Sequence, residues 1–385
     1  MPPSLLTSPA PEAHRYRQAV AASFLLQGLC FSTWAARIPT VQHQLGLSEA
    51  ALGGVLLAVP VGSLAALPLA GWLVARFGSR LVAQLGLLLY ALGLPLLGLA
   101  SSVPQLLAAL ALFGVAGNLA NISINTQAVG VEALYGRSIL ASFHGVWSVA
   151  GFLGAGLGTV LIAWGVPPLF HFLLVGGTVL LGLLLTRANL LPHDAPRPAD
   201  TPLFVLPDKS LLLLGVLAFC SLLCEGTMFD WSGVYFRQIV RAPPAWVGLG
   251  FAAFMALMAT GRFVADWFTD RFGRRRTLVL SGLLEAAGLT LAVVWPTLLT
   301  ATVGFMLVGL GVSAVVPLVY GAAGRATTMP AGVALAAVTT VGFAGFLLGP
   351  PLIGFVAGLS SLRVSFALVA GMGLAVAALG SRVKE

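Results

Sequence analysis

The feature that most constrains this chain is a series of apolar stretches, each about as long as a bilayer is thick. A hydrocarbon core of about 30 Å needs about 20 apolar residues per helix. With charges and Pro/Gly breaks as boundaries, the sequence divides into stretches at 17–37, 49–75, 81–100, 104–131, 138–163, 167–187, 210–236, 245–270, 276–295, 297–323, 331–358 and 362–381. Hydrophobic residues make up 58% of the chain and charged residues 8%, against roughly a quarter charged in a soluble domain. No soluble fold could hide that much apolar surface. Glycine (46) and proline (23) are abundant, which membrane helices tolerate because small residues allow close contact between them. The expectation is an all-α membrane protein of twelve transmembrane helices.

A proline-rich segment, 188–209, holds Pro192, Pro196, Pro198, Pro202 and Pro207 and separates the sixth stretch from the seventh. It divides the chain into a tail (1–16), a six-helix bundle (17–187), a linker (188–209), a second bundle (210–381) and a short tail (382–385). Lys and Arg are retained on the cytoplasmic side of a membrane. Most of the basic residues fall on the side of the termini, whereas Arg37, Arg237, Arg241 and Arg363 fall in the opposite loops and Arg262 within a span. Both termini and the linker are therefore expected in the cytoplasm, with the chain spanning the inner membrane. Met1 to Pro11 lacks the basic start and cleavage site of a signal peptide. The halves repeat each other: Arg76-Phe77-Gly78 recurs as Arg271-Phe272-Gly273, and Ala150-Gly151-Phe152-Leu153 as Ala344-Gly345-Phe346-Leu347. Two matches at nearly one offset imply repeats of the same orientation, related by an axis along the membrane normal.

The repeated loop is Gly71-Trp72-Leu73-Val74-Ala75-Arg76-Phe77-Gly78-Ser79-Arg80 in the first half and Asp266-Trp267-Phe268-Thr269-Asp270-Arg271-Phe272-Gly273-Arg274-Arg275 in the second. Both resemble the G-x-x-x-D-R-x-G-R-R pattern of the major facilitator superfamily. The first copy has Ala75 at the acidic position and the second lacks the leading glycine. Further stretches resemble the YbjJ-like, fucose-permease-like transporters of that superfamily: Thr33-Trp34-Ala35-Ala36-Arg37-Ile38-Pro39, His144-Gly145-Val146-Trp147-Ser148, Glu225-Gly226-Thr227-Met228-Phe229-Asp230-Trp231 and Gly349-Pro350-Pro351-Leu352-Ile353-Gly354. The resemblance covers essentially all twelve spans. It implies the major facilitator fold and alternating-access transport, without naming a substrate.

Ionisable groups are costly inside a bilayer and mark functional sites by default. Glu225 and Asp230 lie in the seventh span, where a carboxyl shielded from water suits proton exchange. The competing reading is an acid fixed by a neighbouring arginine. Their spacing puts them about 140° apart, so a shared partner is not expected. Arg262, Asp266 and Asp270 recur every four residues in the eighth span, which predicts a ladder in which Arg262 and Asp266 neutralise each other. The resemblance implies that Asp270 and Arg271, with Arg76 and Arg80 in the first half, latch the cytoplasmic side. Asn118, Asn121 and Asn125 fall on one face of the fourth span. Their amides suit hydroxyl-rich solutes or, equally, bonds between helices. His144 and Trp147 share a face of the fifth span with Ser148, and histidine can carry a proton near neutral pH. Trp34 and Trp231 occupy comparable places in the first and seventh spans, as platforms for a sugar ring or as interface anchors. Glu132 and Arg137 flank the turn after the fourth span and are expected in the cytoplasmic gate. Gln127 faces away from the asparagine stripe, and Glu285 in the ninth span has no evident place.

Cys30, Cys220 and Cys224 fall in apolar runs and are expected to be free thiols. No phosphate-binding loop, paired metal-spaced histidines or catalytic set is present in the sequence. The reading is a monomeric secondary transporter without cofactor, moving a small polar, sugar-like molecule with protons, and no role in nucleic-acid binding. Export of amphipathic compounds and a non-transporting receptor are the alternatives.

Overall fold

A computed structural model describes residues 11–135, 139–194, 209–325 and 331–383. They form thirteen α-helices: α1 (Pro11–Gln44), α2 (Glu49–Leu56), α3 (Ala58–Phe77), α4 (Ser79–Leu99), α5 (Val103–Tyr135), α6 (Leu140–Ala163), α7 (Pro168–Thr186), α8 (Lys209–Gln238), α9 (Leu249–Phe272), α10 (Arg274–Val294), α11 (Leu298–Gly324), α12 (Ala331–Leu359) and α13 (Leu362–Gly380). There is no strand among the described residues. With α2 and α3 joined as one crossing, twelve helical segments are long and apolar enough to span a membrane. The chain reverses at each crossing, so α1 starts and α13 finishes at one end of the bundle, here the terminal end.

Boundaries depart from the sequence expectation in two places. The first helix is longer at both ends, beginning inside the expected tail and running on through Pro39. Proline is tolerated within a membrane helix although it leaves the carbonyl four residues back, here that of Ala35, without its usual donor, and the Pro39 carbonyl itself accepts from Arg237 Nη1 at 2.7 Å. Arg37, expected in a loop, is consequently inside α1 and 2% exposed. The second crossing is broken at Leu57. Pro60 accounts for the break, since it has no N–H to donate to the preceding turn and its ring crowds the carbonyl four residues back.

The halves have six crossings each and pack by corresponding pairs: α4 against α5 in the first and α10 against α11 in the second. Their shared turn explains the sequence repeat. Gly78 (φ 81°, ψ 152°) and Gly273 (φ 83°, ψ 156°) adopt one conformation, which only glycine enters without strain. The rings before them repeat too, Trp72 meeting Phe77 edge-on and Trp267 meeting Phe272 edge-on.

Between the halves, α6 packs on α9, and its symmetry counterpart is α12 packing on α2. Far from the termini the contact is backbone on backbone. A Cβ on Gly354 would lie 2.7 Å from Gly53 Cα, and one on Gly53 would lie 2.7 Å from the Pro350 carbonyl oxygen. At the terminal end, α12 barely touches α3. This seam is therefore closed at the far end and parts toward the terminal end, while α6 stays on α9 as far as Gly145, where a Cβ would lie 2.7 Å from the Phe263 ring.

Candidate functional site: a polar cleft between the halves

A cavity of about 230 Å³ lies between the halves, lined by Gln27, Phe31, Ser63, Tyr90, Asn118, Asn121, Trp147, Phe343 and Phe346 among others. Two of its side chains are incompletely satisfied. Gln27 Nε2 donates to the Gly117 carbonyl at 3.3 Å, which leaves Gln27 Oε1 unpartnered, and Asn118 Oδ1 is unpartnered as well. A buried acceptor without a donor costs about 1–3 kcal/mol, and both oxygens are shielded from solvent beside the cavity. Beside them Phe229 meets both Phe31 and Trp147 edge-on, and those two rings are tilted against each other.

Arg262 joins the two halves. From α9 its Nη2 lies 3.2 Å from Glu225 Oε1 on α8, its Nη1 donates to Ser148 Oγ on α6 at 2.6 Å, and its guanidinium carbon is 6.0 Å from the Trp147 ring centre. This is the only ion pair among the described residues. It corrects the expected ladder: Asp266 is exposed and does not pair with Arg262. Glu225 is 6% exposed and without a cation would be an uncompensated buried charge, whereas Asp266 is exposed and does not need one.

Other sequence candidates distribute unevenly. Asn118 and Asn121 line the cavity, while Asn125 turns its Nδ2 to the Asn121 carbonyl at 2.8 Å. His144 is exposed, edge-on to Phe24. Trp34 and Trp231 are 2% and 0% exposed, so neither is an interface anchor nor a cavity platform. They fill the core where the helices converge. Asp230 is half-buried and forms no ion pair with any described residue. Arg76, Asp270 and Arg271 are exposed, with Arg271 over the Phe272 ring. Arg80 donates to the Arg187 and Ala188 carbonyls, each at 3.2 Å. Glu132 accepts from the backbone N–H groups of Ile139 and Leu140 at 2.7 and 2.9 Å, and so holds the start of the fifth crossing. Arg137 lies outside the described residues. The three cysteines are buried and free.

Four polar groups escaped the sequence reading. Gln27 and Tyr90 line the cavity, and a glutamine in the first apolar stretch was the available signal. His171 is fully buried and its Nδ1 meets Arg37 Nε at 3.1 Å, while Arg37 Nη2 donates to the Val166 carbonyl at 2.8 Å. Asp194 accepts from the Ser79 N–H at 2.8 Å and also binds the Ser79 hydroxyl, at the N-terminus of α4. Gln127 is buried and braces this corner: its Nε2 donates to Ser79 Oγ at 2.6 Å and to the Leu191 carbonyl, and its Oε1 accepts from the Leu191 N–H at 2.7 Å.

Two repeated six-crossing bundles around a polar cleft have the architecture of a membrane transporter. The chain belongs to the Major Facilitator Superfamily, whose model matches residues 20–244 and 214–383. It is 40% identical over 356 residues to an uncharacterized MFS-type transporter of Yersinia pestis, covering 92% of each chain. It is 32% identical to the membrane protein MosC of Rhizobium meliloti, covering 93% of this chain and 88% of that one. Among solved structures, it superposes on a bacterial homolog of the human lysosomal transporter Spinster, in an inward-facing and unoccupied conformation, with a TM-score of 0.74 at 14% identity (97% and 98% of the chains). It also superposes on a mutant of the nucleoside transporter NupG, with a TM-score of 0.76 at 13% identity (96% and 100%). At those identities the likeness is one of fold.

Proposed function

We propose that this protein is a proton-coupled secondary transporter of a small, hydroxyl-rich, sugar-like solute, allied within its family to the YbjJ-like members. The observation that carries the reading is a cavity lined by the amide side chains of Gln27, Asn118 and Asn121 and edged by aromatic rings, with Gln27 Oε1 and Asn118 Oδ1 unpartnered beside it. A polyol or monosaccharide supplies hydroxyl donors to these amides once their side chains turn into the cavity, and an apolar ring face to Trp147 or Phe31. Nearby, Arg262 and Glu225 place a neutralised charge pair next to the cleft, where solute or proton binding can compete for either partner.

In this reading the terminal end faces the cytoplasm of a cell whose inner membrane the protein spans, and the cleft is in its inward-open state. The bundles at 17–187 and 210–381 rock against each other as a monomer, joined by the linker 188–209, with the tails 1–16 and 382–385 on the same side. Arg76, Arg80, Glu132, Asp266, Asp270 and Arg271 lie toward the ends of crossings on that side and act in its gate, together with Arg137, which lies outside the described residues. Asp230 and His144 are secondary candidates for handling the proton.

The test is counterflow of labelled monosaccharides and cyclitols in proteoliposomes, with Asn118→Leu as the variant. Wild-type protein should exchange at least one of these solutes, and the variant should lose at least tenfold in rate while melting at the wild-type temperature. Exchange by N118L at the wild-type rate would remove the amide pair from the solute site.

A further inference from the structure

Glu285 is a fully buried acid on α10, inside the second half rather than in the cleft. Its Oε1 accepts from the Ser221 hydroxyl at 3.5 Å, and its Oε2 has no partner. The groups around it come from four helices. On α8 they are Cys220, Ser221, Cys224 and, one turn from Ser221, Glu225. From α11 and α13 the neighbours are glycines: a Cβ on Gly311 would lie 2.8 Å from Glu285 Cγ, and one on Gly373 2.9 Å from its Cβ. α11 contains no Asp, Glu, Lys, Arg or His, and the only such residue in α13, Arg363, is at its start and donates to the Val293 carbonyl. On α9, Arg262 is committed to Glu225, and Asp266, Asp270 and Arg271 are exposed.

Two buried carboxyl groups thus share a neighbourhood with one guanidinium. Arg262 neutralises one of them, and it is Glu225 that it reaches. An ionised carboxylate on Glu285, with no cation and only the distant Ser221 hydroxyl and the weak Cys224 thiol as donors, would be an isolated buried charge, which a protein avoids by keeping the proton on the group. A protonated carboxyl at this site offers an O–H as well as an acceptor.

We propose that Glu285 is a proton-binding site of the transport cycle, holding one proton while Arg262 is paired with Glu225 and exchanging it with Glu225 along the α8 face by way of Ser221. In that exchange the O–H bond on Glu285 breaks and one forms on Glu225, so the cluster of two carboxyls and one guanidinium keeps a single proton and no net charge. When Arg262 moves to a solute or loses Ser148 as the halves separate, the cluster takes up a second proton. This inference rests on the proton-coupled reading above.

Infrared spectroscopy of the full chain in lipid nanodiscs tests it without knowledge of the solute. At neutral pH the wild type should show the carbonyl stretch of a buried carboxylic acid, shifted by deuterium exchange, lost in Glu285→Gln and retained in Glu225→Gln. Raising the pH should remove the band while the protein remains folded by tryptophan fluorescence. A second variant, Arg262→Gln, should gain a further acid band, assigned to Glu225 by its loss in the R262Q/E225Q double variant. A neutral-pH band that survives in E285Q overturns the proposal. So does a band lost in E285Q that stays constant across the whole pH range of the folded wild type, because that acid is structural. If E225Q accumulates solute with unchanged pH dependence while E285Q abolishes accumulation, the coupling role of Glu225 and its exchange with Glu285 both fail, and only proton binding at Glu285 stands.

Discussion

At the scale of single residues, Arg262 holds the most consequential position, because it satisfies a buried acid in one half and a hydroxyl in the other. Replacing it by alanine leaves Glu225 buried without a cation, at a cost of about 3–5 kcal/mol. R262A should therefore melt well below the wild type in detergent, as followed by tryptophan fluorescence. The R262A/E225Q double variant should recover most of the loss, and failure to recover would mean that the destabilisation comes from lost packing on Trp147 instead. Glu225→Gln alone should abolish accumulation driven by a pH gradient while exchange at equal pH continues, since exchange needs no net proton movement. The sequence made Glu225 and Arg262 stand out, because charges are few and each must be accounted for. It misassigned the partner of Arg262, because an i,i+4 neighbour is visible along a chain and a carboxylate on another helix is not. Gln27, His171 and Glu285 were equally hard to read, since a lone polar residue in an apolar run carries no sign of what it faces.

At the scale of the elements, helix ends were less legible than helix middles. Hydropathy located every crossing, but it could not foresee that α1 continues past Pro39 or that the second crossing breaks at Leu57, as both depend on how neighbouring backbone satisfies the groups that proline frees. The loss of the acid at Ala75 looked like a weakened motif. Asp194 instead brings a carboxylate to the start of α4 from the segment after α7, where it accepts an otherwise unpaired N–H and faces the positive end of the helix. Asp194→Ala should cost about 1 kcal/mol, a typical value for a lost cap. Hydrogen exchange should quicken at the first amides of α4 and leave those of α10 unchanged, and protection that is the same in both helices would show that the cap is idle.

At the scale of the whole molecule, the repeat seen in the sequence corresponds to a structural one: Gly78 and Gly273 make the same turn, and the α6–α9 contact mirrors α12–α2. The repeat implied that the two halves run in the same sense, but not which end is closed, since a repeated pattern does not distinguish the two ends. Here the far end is closed by Gly53 against Gly354. Gly354→Leu should wedge that end apart, lengthening the distance between spin labels placed at His43 and Ser360 in the reconstituted protein. An unchanged distance distribution would mean that the seam yields elsewhere. Because that seam is bare main chain, it presents no hydroxyl to hydrate and no charge to screen. Closing it at that point is then governed by shape, and the composition of the surrounding medium acts on the contact between the halves through two guanidiniums, Arg262 at the cleft and Arg237 on the Pro39 carbonyl.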